Sequence, residues 1–186
     1  MFESGWFWGL CALTVFWALG AYNRLVRLRA QVVSRYAELM VALSGLIELA
    51  QNTLSEGVSD TAGPRQDANA SHIAACWRRL NHTSTQASVA LARMQEHCLL
   101  PQSAHDLNDA WRQFEQTWEE LKVSPWGLLS EGVRSQWHTQ HLLAQPLLNN
   151  FNLSVSAYNQ AIALWPASVL AKVLGFKPAQ GLWDAA

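Results

Sequence analysis

Histidines and a cysteine at helical spacings are the residues of this chain whose types could do chemistry. His138 and His141 are three residues apart, and His72 and Cys76 are four apart, so each pair would lie on one helix face and could share a metal ion. Neither pair has an obvious third ligand. His141 also falls within an apolar seam, where a buried, hydrogen-bonded histidine is the ordinary explanation. The sequence therefore predicts no metal site.

The spacings that usually carry catalysis or nucleic-acid binding are missing from the sequence. Glu119 and Glu120 are adjacent, so their carboxylates would point to different sides of a helix. The Glu-x-x-His spacing of di-iron bundles never occurs twice, and there is no Walker-type loop, nucleophile elbow or GxGxxG. The Trp77-Arg78-Arg79 cluster is too small, and the net charge of −1 too low, to favour nucleic acid. We expect no enzymatic activity, no cofactor and no nucleic-acid partner.

The first element is an uncharged stretch of twenty residues between Glu3 and Arg24. As a helix it is about 30 Å long, which matches the hydrocarbon core of a bilayer. Aromatic residues lie near both ends, as at membrane–water boundaries: Trp6, Phe7, Trp8, Trp17 and Tyr22. We predict a membrane anchor at residues 1–23, with the span itself at residues 5–22. The alternative is a cleaved signal peptide with a mature start near Ala21, although such a peptide prefers a positive leader.

The charges that flank this stretch predict its orientation. Arg24, Arg27, Arg29 and Arg35 follow it, whereas no basic side chain precedes it. Short cytoplasmic flanks of membrane helices are enriched in arginine and lysine. We therefore expect a single-pass membrane protein with its N-terminus outside and its body in the cytoplasm. An exported body is the alternative.

The remaining domain, residues 24–186, carries four apolar seams whose positions alternate by three and four, as in amphipathic or coiled-coil helices. The predicted seams are Val26, Val33, Tyr36, Met40, Leu43, Ile47, Ala50 and Leu54; Ile73, Trp77, Leu80, Ser84, Ala87, Leu91, Met94 and Cys98; Leu107, Trp111, Phe114, Trp118 and Leu121; and Trp137, His141, Ala144, Leu148, Phe151, Val155, Tyr158, Ile162 and Trp165. Arg29 is the single break in the first seam. Helices joined by short connections bury such seams against one another, so the prediction is all-α, an antiparallel four-helix bundle after the transmembrane helix.

Local signals predict where these helices begin and end. The composition of residues 56–70 is typical of a loop. Ser103 and Asp106 resemble a capping box that opens the third helix. Pro146 lies off the fourth seam, so we expect a kink on the solvent side.

The segment FNLSVSAYNQAIALWPASVLAKVLGFKP, residues 151–178, combines a helix, a proline and an apolar tail. Asn152 and Asn159 are seven residues apart and share a helix face, Pro166 ends the helix, and residues 169–176 can fold back over one end of the bundle. The segment resembles the C-terminal signature of the LemA family, with matches at Phe151-Asn152, Val155, Tyr158-Asn159, Ile162, Pro166, Ala171 and Gly175 to Pro178. YNRLVRLRAQV, directly after the anchor, is also similar to that family. The first bundle helix, AELMVALSGLIELAQ, lacks the proline usual there, so the chain resembles a divergent member.

The resemblance implies a membrane-anchored antiparallel four-helix bundle, and it implies no established activity. Its signature residues are expected to lock the bundle or to form a partner-binding patch, with the structural role first: Asn152, Tyr158, Asn159, Pro166, Gly175, Phe176 and Pro178. The function expected is that of a membrane-tethered scaffold or adaptor that binds a protein partner. Ten tryptophans and only 15% charged residues favour a lipid- or apolar-ligand-binding bundle as the alternative. A metalloenzyme ranks third.

Overall fold

The computed structural model describes residues 3–61, 68–124, 128–165 and 167–183, and it describes only the backbone of residues 3–5, 7, 11, 58–61 and 68–70. Five helices occupy these ranges: α1 (Glu3–Thr61), α2 (Ala68–Glu96), α3 (Pro101–Lys122), α4 (Glu131–Ala163) and α5 (Ala167–Val173). No strand occurs in the same ranges. The all-helical prediction is therefore confirmed.

The helices form a bundle in which α1 packs along both α2 and α4, while α2 packs along α3. The Tyr36 ring of α1 lies edge-on to Phe151 of α4, with ring centroids 5.8 Å apart, and its hydroxyl donates to the Leu91 carbonyl of α2 at 2.8 Å. On the remaining side α3 and α4 meet through aromatic side chains. Trp137 of α4 stacks on Trp118 of α3 at a centroid distance of 4.1 Å. Large rings thus fill the space between these two helices.

The buried seam of α1 differs in phase from the predicted one over its first half. Leu25 and Val32 are buried, whereas the predicted Val26 and Val33 are exposed. The shift of one residue rotates the seam by about 100°. With this rotation Arg29 lies outside the seam and its side chain is exposed. The seam is therefore not interrupted by Arg29, contrary to what the sequence had suggested.

The predicted seams of α2 and α3 coincide closely with the buried faces. In α3 every predicted seam residue is buried: Leu107, Trp111, Phe114, Trp118 and Leu121. In α2 the seam from Trp77 through Cys98 is buried, and Ile73 is half-buried. Heptad-like spacing predicted these two helices because each has a single apolar face.

Two predicted boundaries were wrong. Residues 56–61, predicted as loop, continue α1, and Gly57 there lies against Trp77 so closely that a Cβ would overlap the indole ring. The predicted capping box is absent, since α3 begins at Pro101 and its N-cap Leu100 has no side-chain cap. Proline suits the first helical position because it has no N–H to satisfy there and its fixed φ matches a helix start.

Helix α4 begins at a serine cap and ends at Ala163, shortly before Pro166, the residue predicted to end it. The Ser130 hydroxyl accepts a hydrogen bond from the Val133 amide at 3.3 Å. Pro146 lies inside the helix with its side chain exposed, on the solvent side as predicted. Trp165, predicted as the last seam residue, is exposed because the helix has already ended at Ala163.

The N-terminal arm, defined as residues 3–24, continues α1 beyond the bundle without a break. Packing begins at Leu25, which is buried with Ala161 and Ala171. Before it, large apolar side chains are exposed: Trp6, Trp8, Leu10, Leu13, Val15, Phe16, Trp17, Leu19 and Tyr22. Among the described residues, no helix reaches the length and apolarity needed to cross a membrane. The predicted transmembrane span is not supported by that finding and stays a prediction.

Candidate functional site

The C-terminal latch, residues 177–183, is held to α4 by two asparagines of the predicted signature. Asn152 donates from Nδ2 to the Leu182 carbonyl at 2.7 Å and accepts the Leu182 amide on Oδ1 at 2.9 Å. Asn159 repeats the arrangement with Ala179, again at 2.7 and 2.9 Å. Each amide side chain thus satisfies both backbone groups of one latch residue, as a neighbouring strand would do.

The spacing of the two asparagines fits an extended chain. Seven residues of α-helix rise about 10.5 Å, and three residues of extended chain rise about 10 Å. Asn159 pairs with Ala179 and Asn152 with Leu182, so the latch runs antiparallel to α4. The seven-residue spacing that placed both asparagines on one face therefore also matches the spacing of their partners.

Tyr158, Gly175 and Phe176 turn the chain from α5 into the latch. The Phe176 amide donates to Ala171 O at 2.9 Å and the Gly175 amide to Lys172 O at 3.4 Å. With φ of +72° at Gly175, this is a Schellman helix end, for which glycine is preferred. The Tyr158 hydroxyl then donates to the Lys177 carbonyl at 2.9 Å.

One signature proline and most of the predicted apolar tail are exposed. Pro178 has an exposed side chain, and Pro166 lies outside the described residues. Residues 169–176 were predicted to cover a bundle end, but Val169, Val173 and Leu174 are exposed. Only Ala171 and Phe176 of that segment pack against the bundle core. Burial against the bundle comes instead from the latch, a few residues farther along the chain, in which Ala179 and Leu182 join the main core.

Sequence reasoning missed three residues of this site, namely Leu182, Trp183 and Asn108. Leu182 is completely buried in the main core. The Trp183 amide donates to Oδ1 of Asn108 at 3.1 Å, and its ring lies edge-on to Trp111 at 5.7 Å. The latch therefore reaches from α4 across to α3. The apolar pair Leu182-Trp183 was the available signal.

Beside the latch lies a small apolar pocket of about 230 Å³ between α1, α3 and α4. Its walls are mainly apolar and its rim is polar: Leu39, Leu43, Leu46, Trp111, Ala144, Leu148 and Trp183, with Glu115, His141 and Gln145. Ligand sites in proteins usually measure about 300–1,000 Å³. The pocket is therefore smaller than those that hold lipids or drug-sized ligands.

The two histidines considered above as metal ligands, His138 and His141, line a larger cleft of about 700 Å³ between α3 and α4. His141 Nδ1 lies 3.9 Å from Glu115 Oε1, and Nζ of Lys122 lies 2.6 Å from Glu119 Oε2. Charges of both signs are thus interspersed along an open surface. Within the described residues, no three His, Cys, Asp or Glu side chains are grouped closely enough to hold a metal ion. The cleft shows solvated ion pairs, which contribute little to stability.

Buried hydroxyl and thiol groups in the bundle are held in their neutral forms. Burial raises the pKa of Tyr36, and neighbouring Cys98 raises it further. Burial likewise raises the pKa of the Cys98 thiol and of Tyr158. A thiol with a raised pKa forms little thiolate at neutral pH, so Cys98 is a structural cysteine with low reactivity.

The base of the N-terminal arm meets the end of α4 in an open groove of about 430 Å³. The α1 side of the groove comes from Trp17, Gly20, Ala21 and Arg24, and the opposite side from Ala161, Leu164, Trp165 and Ala167. The α4–α5 connection thus flanks the level at which the arm leaves the bundle.

The comparisons with known proteins leave the family open. No family model, no curated protein and no solved structure matches this chain. The LemA resemblance therefore stays a prediction that rests on the signature residues.

Proposed function

We propose that this protein is a single-pass, membrane-anchored helical bundle whose arm lies in the bilayer. The observation that carries the proposal is the exposure of large apolar side chains along the arm, from Trp6 to Tyr22. Soluble proteins rarely leave so much contiguous apolar surface in water. The arm has no charged residue between Glu3 and Arg24, and its tryptophans suit a membrane–water boundary.

The arginines at the base of the arm support a cytoplasmic bundle with the N-terminus outside. Arg24, at the end of the arm, and Arg27, Arg29 and Arg35, just beyond it, are exposed on α1. This is the side that the positive-inside rule assigns to the cytoplasm. An exported bundle remains the alternative topology.

The proposed activity of the bundle is that of a scaffold or adaptor for a protein partner, and the proposed family is LemA, with this chain a divergent member. Leu142 and Leu153 are exposed on α4 and eleven residues apart, so they share one face with exposed Pro146 between them. The same face carries exposed Asn149, and a mixed apolar and polar surface of this kind suits a protein contact. Five of the seven signature residues make hydrogen bonds that hold the latch or form the turn that leads to it, which gives the resemblance a physical basis.

A charge placed in the arm tests the anchor. Leu13 and Val41 are equally exposed on α1, at 69% and 68%, but Leu13 lies in the arm and Val41 in the bundle. An arginine at the centre of a membrane helix costs about 2.5–3.5 kcal/mol. Leu13→Arg should therefore lower the fraction of protein that resists alkaline extraction from membranes, while Val41→Arg should leave it unchanged. Equal extraction of both variants and the native chain would overturn the anchor.

Topology and cleavage are tested separately. N-terminal sequencing of the membrane fraction should find the arm intact, and a mature start near Ala21 would instead identify a signal peptide. Cys98 is buried and unsuited to thiol labelling, whereas Val123 is exposed at the end of α3. A Val123→Cys chain in intact cells should resist an impermeant thiol reagent, and efficient labelling would place the bundle outside. Crosslinking and affinity capture from native membranes then tests for the protein partner.

A further inference from the structure

The end of the bundle from which the arm leaves carries an exposed apolar surface that the folded chain does not use. This surface, called the proximal end, consists of Leu164, Trp165, Val169, Val173 and Leu174. Trp165 is 81% exposed and Val173 is 76% exposed. In α5 the buried Ala171 packs against α1 and α4, whereas Val169 and Val173 lie four residues apart on the opposite, outward face.

The proximal end lies at the level where the arm begins. Leu25 of α1 packs with Ala161 and Ala171, which fixes α5 and the end of α4 beside the base of the arm. The groove there is lined by Trp17 and Ala21 from the arm, with Trp165 facing them across it. Any surface into which the arm inserts is therefore within reach of the proximal end.

The charged side chains that α1 and α5 place at the proximal end are positive, while the nearest acidic residue on the neighbouring helix α2 is Glu96 at its end. Arg24, Arg27 and Lys172 are exposed there. No acidic residue occurs between Glu3 and Glu38 or between Glu131 and Asp184, so the base of the arm, most of α4, and all of α5 and the latch lack negative charge. The whole chain nevertheless has a net charge of −1, which means that its acidic residues are concentrated elsewhere.

We propose that the proximal end binds the anionic headgroup region of the leaflet next to the base of the arm, so that the bundle lies against the membrane surface. The proposal rests on the membrane anchor proposed above. Tryptophan and aliphatic side chains enter the boundary between headgroups and acyl chains, while nearby lysine and arginine attract anionic lipids. Exposed apolar side chains and the positive charges of α1 and α5 occur together here, and that combination fits such a leaflet better than it fits water.

Fluorophores at matched positions test the contact in the full-length chain. Val173 at the proximal end and Val123 at the far end of the bundle are both 76% exposed. Each is replaced by cysteine and labelled with an environment-sensitive fluorophore, in a chain whose Cys11, Cys76 and Cys98 are replaced by alanine. The proteins are reconstituted into phosphatidylcholine vesicles with or without phosphatidylserine, with quencher-bearing lipids in both. Circular dichroism checks that each variant is folded.

We expect lipid quenching at position 173 to be severalfold stronger than at position 123, and stronger with phosphatidylserine than without it. Lys172→Glu should weaken the quenching at 173. A third label, at Leu13→Cys, reports the anchor itself. Quenching at 13 with equal, weak quenching at 173 and 123 would overturn the contact and leave the anchor standing. No quenching at 13 would overturn the anchor, and equal quenching at 173 in both vesicles would overturn the role of anionic lipid.

Discussion

Two stretches of the same helix behave in opposite ways. In the bundle part of α1, Leu39 and Leu46 are completely buried between neighbouring helices. In the arm, leucines such as Leu13 are exposed although the helix continues without interruption. The local backbone is the same in both stretches, so the presence of packing partners decides burial.

The pattern of side chains explains why the two stretches differ. The bundle part has one apolar seam and an opposite polar face, which is what a helix packed on one side requires. The arm has apolar residues on all sides, a distribution typical of helices surrounded by apolar material. The arm is thus built for an environment that the rest of the chain does not provide.

The largest effect that separates the two stretches is expected from matched leucine truncations. Leu46→Ala should lower the free energy of unfolding by about 2–5 kcal/mol, because it removes buried methyl groups and leaves a cavity. For a domain of this size that is a fall of roughly 5–15 °C in the thermal midpoint. Leu13→Ala should change it by less than about 0.5 kcal/mol. Thermal denaturation of both variants in detergent, followed by circular dichroism, measures the contrast.

Similar destabilisation by the two truncations would break the comparison. It would mean that the arm packs against the bundle in detergent. A normal midpoint for Leu46→Ala would show that the bundle core at this position collapses around the missing atoms.

The sequence predicts the buried face of a helix correctly where only one face is apolar. It fails where two neighbouring apolar positions could each be the buried one. Helix α3 has a single apolar face, and its seam from Leu107 to Leu121 was predicted correctly. Helix α1 offers Leu25 beside Val26 and Val32 beside Val33, so two phases fit equally well. Packing against α4 and α5 selects Leu25, a decision that depends on residues more than 130 positions away.

Of the contact between α4 and the latch, the sequence could predict only the α4 residues. Asn152 and Asn159 were visible as a pair on one face, and Gly175 as part of a chain reversal. Their partners are backbone groups of Ala179 and Leu182, which any residue type could supply. Side-chain type and periodicity therefore carry no signal for the latch, apart from the apolar character of Leu182 and Trp183.

The next largest effect concerns the latch, whose backbone is paired by the side chains of two asparagines of α4. Asn152→Ala removes two hydrogen bonds and leaves the Leu182 amide and carbonyl without those partners. Unpaired groups of this kind cost about 1–3 kcal/mol, or roughly 2–10 °C in the thermal midpoint. Asn159→Ala should act similarly through Ala179. Thermal denaturation of the single and double variants tests this.

The double variant distinguishes a cooperative latch from two separate contacts. If release of one end frees the whole latch, the double variant should lose less stability than the sum of the single variants. Additive losses would show that each asparagine holds its own residue independently. No loss in either variant would mean that Leu182 alone holds the latch.

A smaller effect is expected at the turn before the latch. Phe176 is half-buried against the core and Lys177 is exposed. Full burial of such a ring contributes about 1.5–3 kcal/mol, so Phe176→Ala should lower the thermal midpoint by a few degrees. Lys177→Ala should have almost no effect, since only its backbone carbonyl is bonded, to Tyr158. A Phe176→Ala protein that melts normally but loses a captured partner would make this turn a binding site.

The smallest effect distinguishes two tyrosines of α1, Tyr36 in the bundle and exposed Tyr22 in the arm. Tyr36→Phe removes the hydrogen bond to Leu91 and should lower the free energy of unfolding by about 1 kcal/mol at neutral pH. Tyr22→Phe is the control and should have no effect.

The pH dependence of this difference is the sharper test. Burial raises the pKa of Tyr36 in the folded protein, whereas an unfolded tyrosine titrates near about pH 10. The folded state therefore holds this proton more tightly, and the resulting stability is complete below about pH 10 and is lost as the pH rises above it. Because phenylalanine has no such proton, Tyr36→Phe should lose stability less steeply than the native chain above that pH. Thermal denaturation at increasing pH measures this. If the stability of the variant and of the native chain fell equally steeply above that pH, Tyr36 would ionise as readily in the bundle as it does in water.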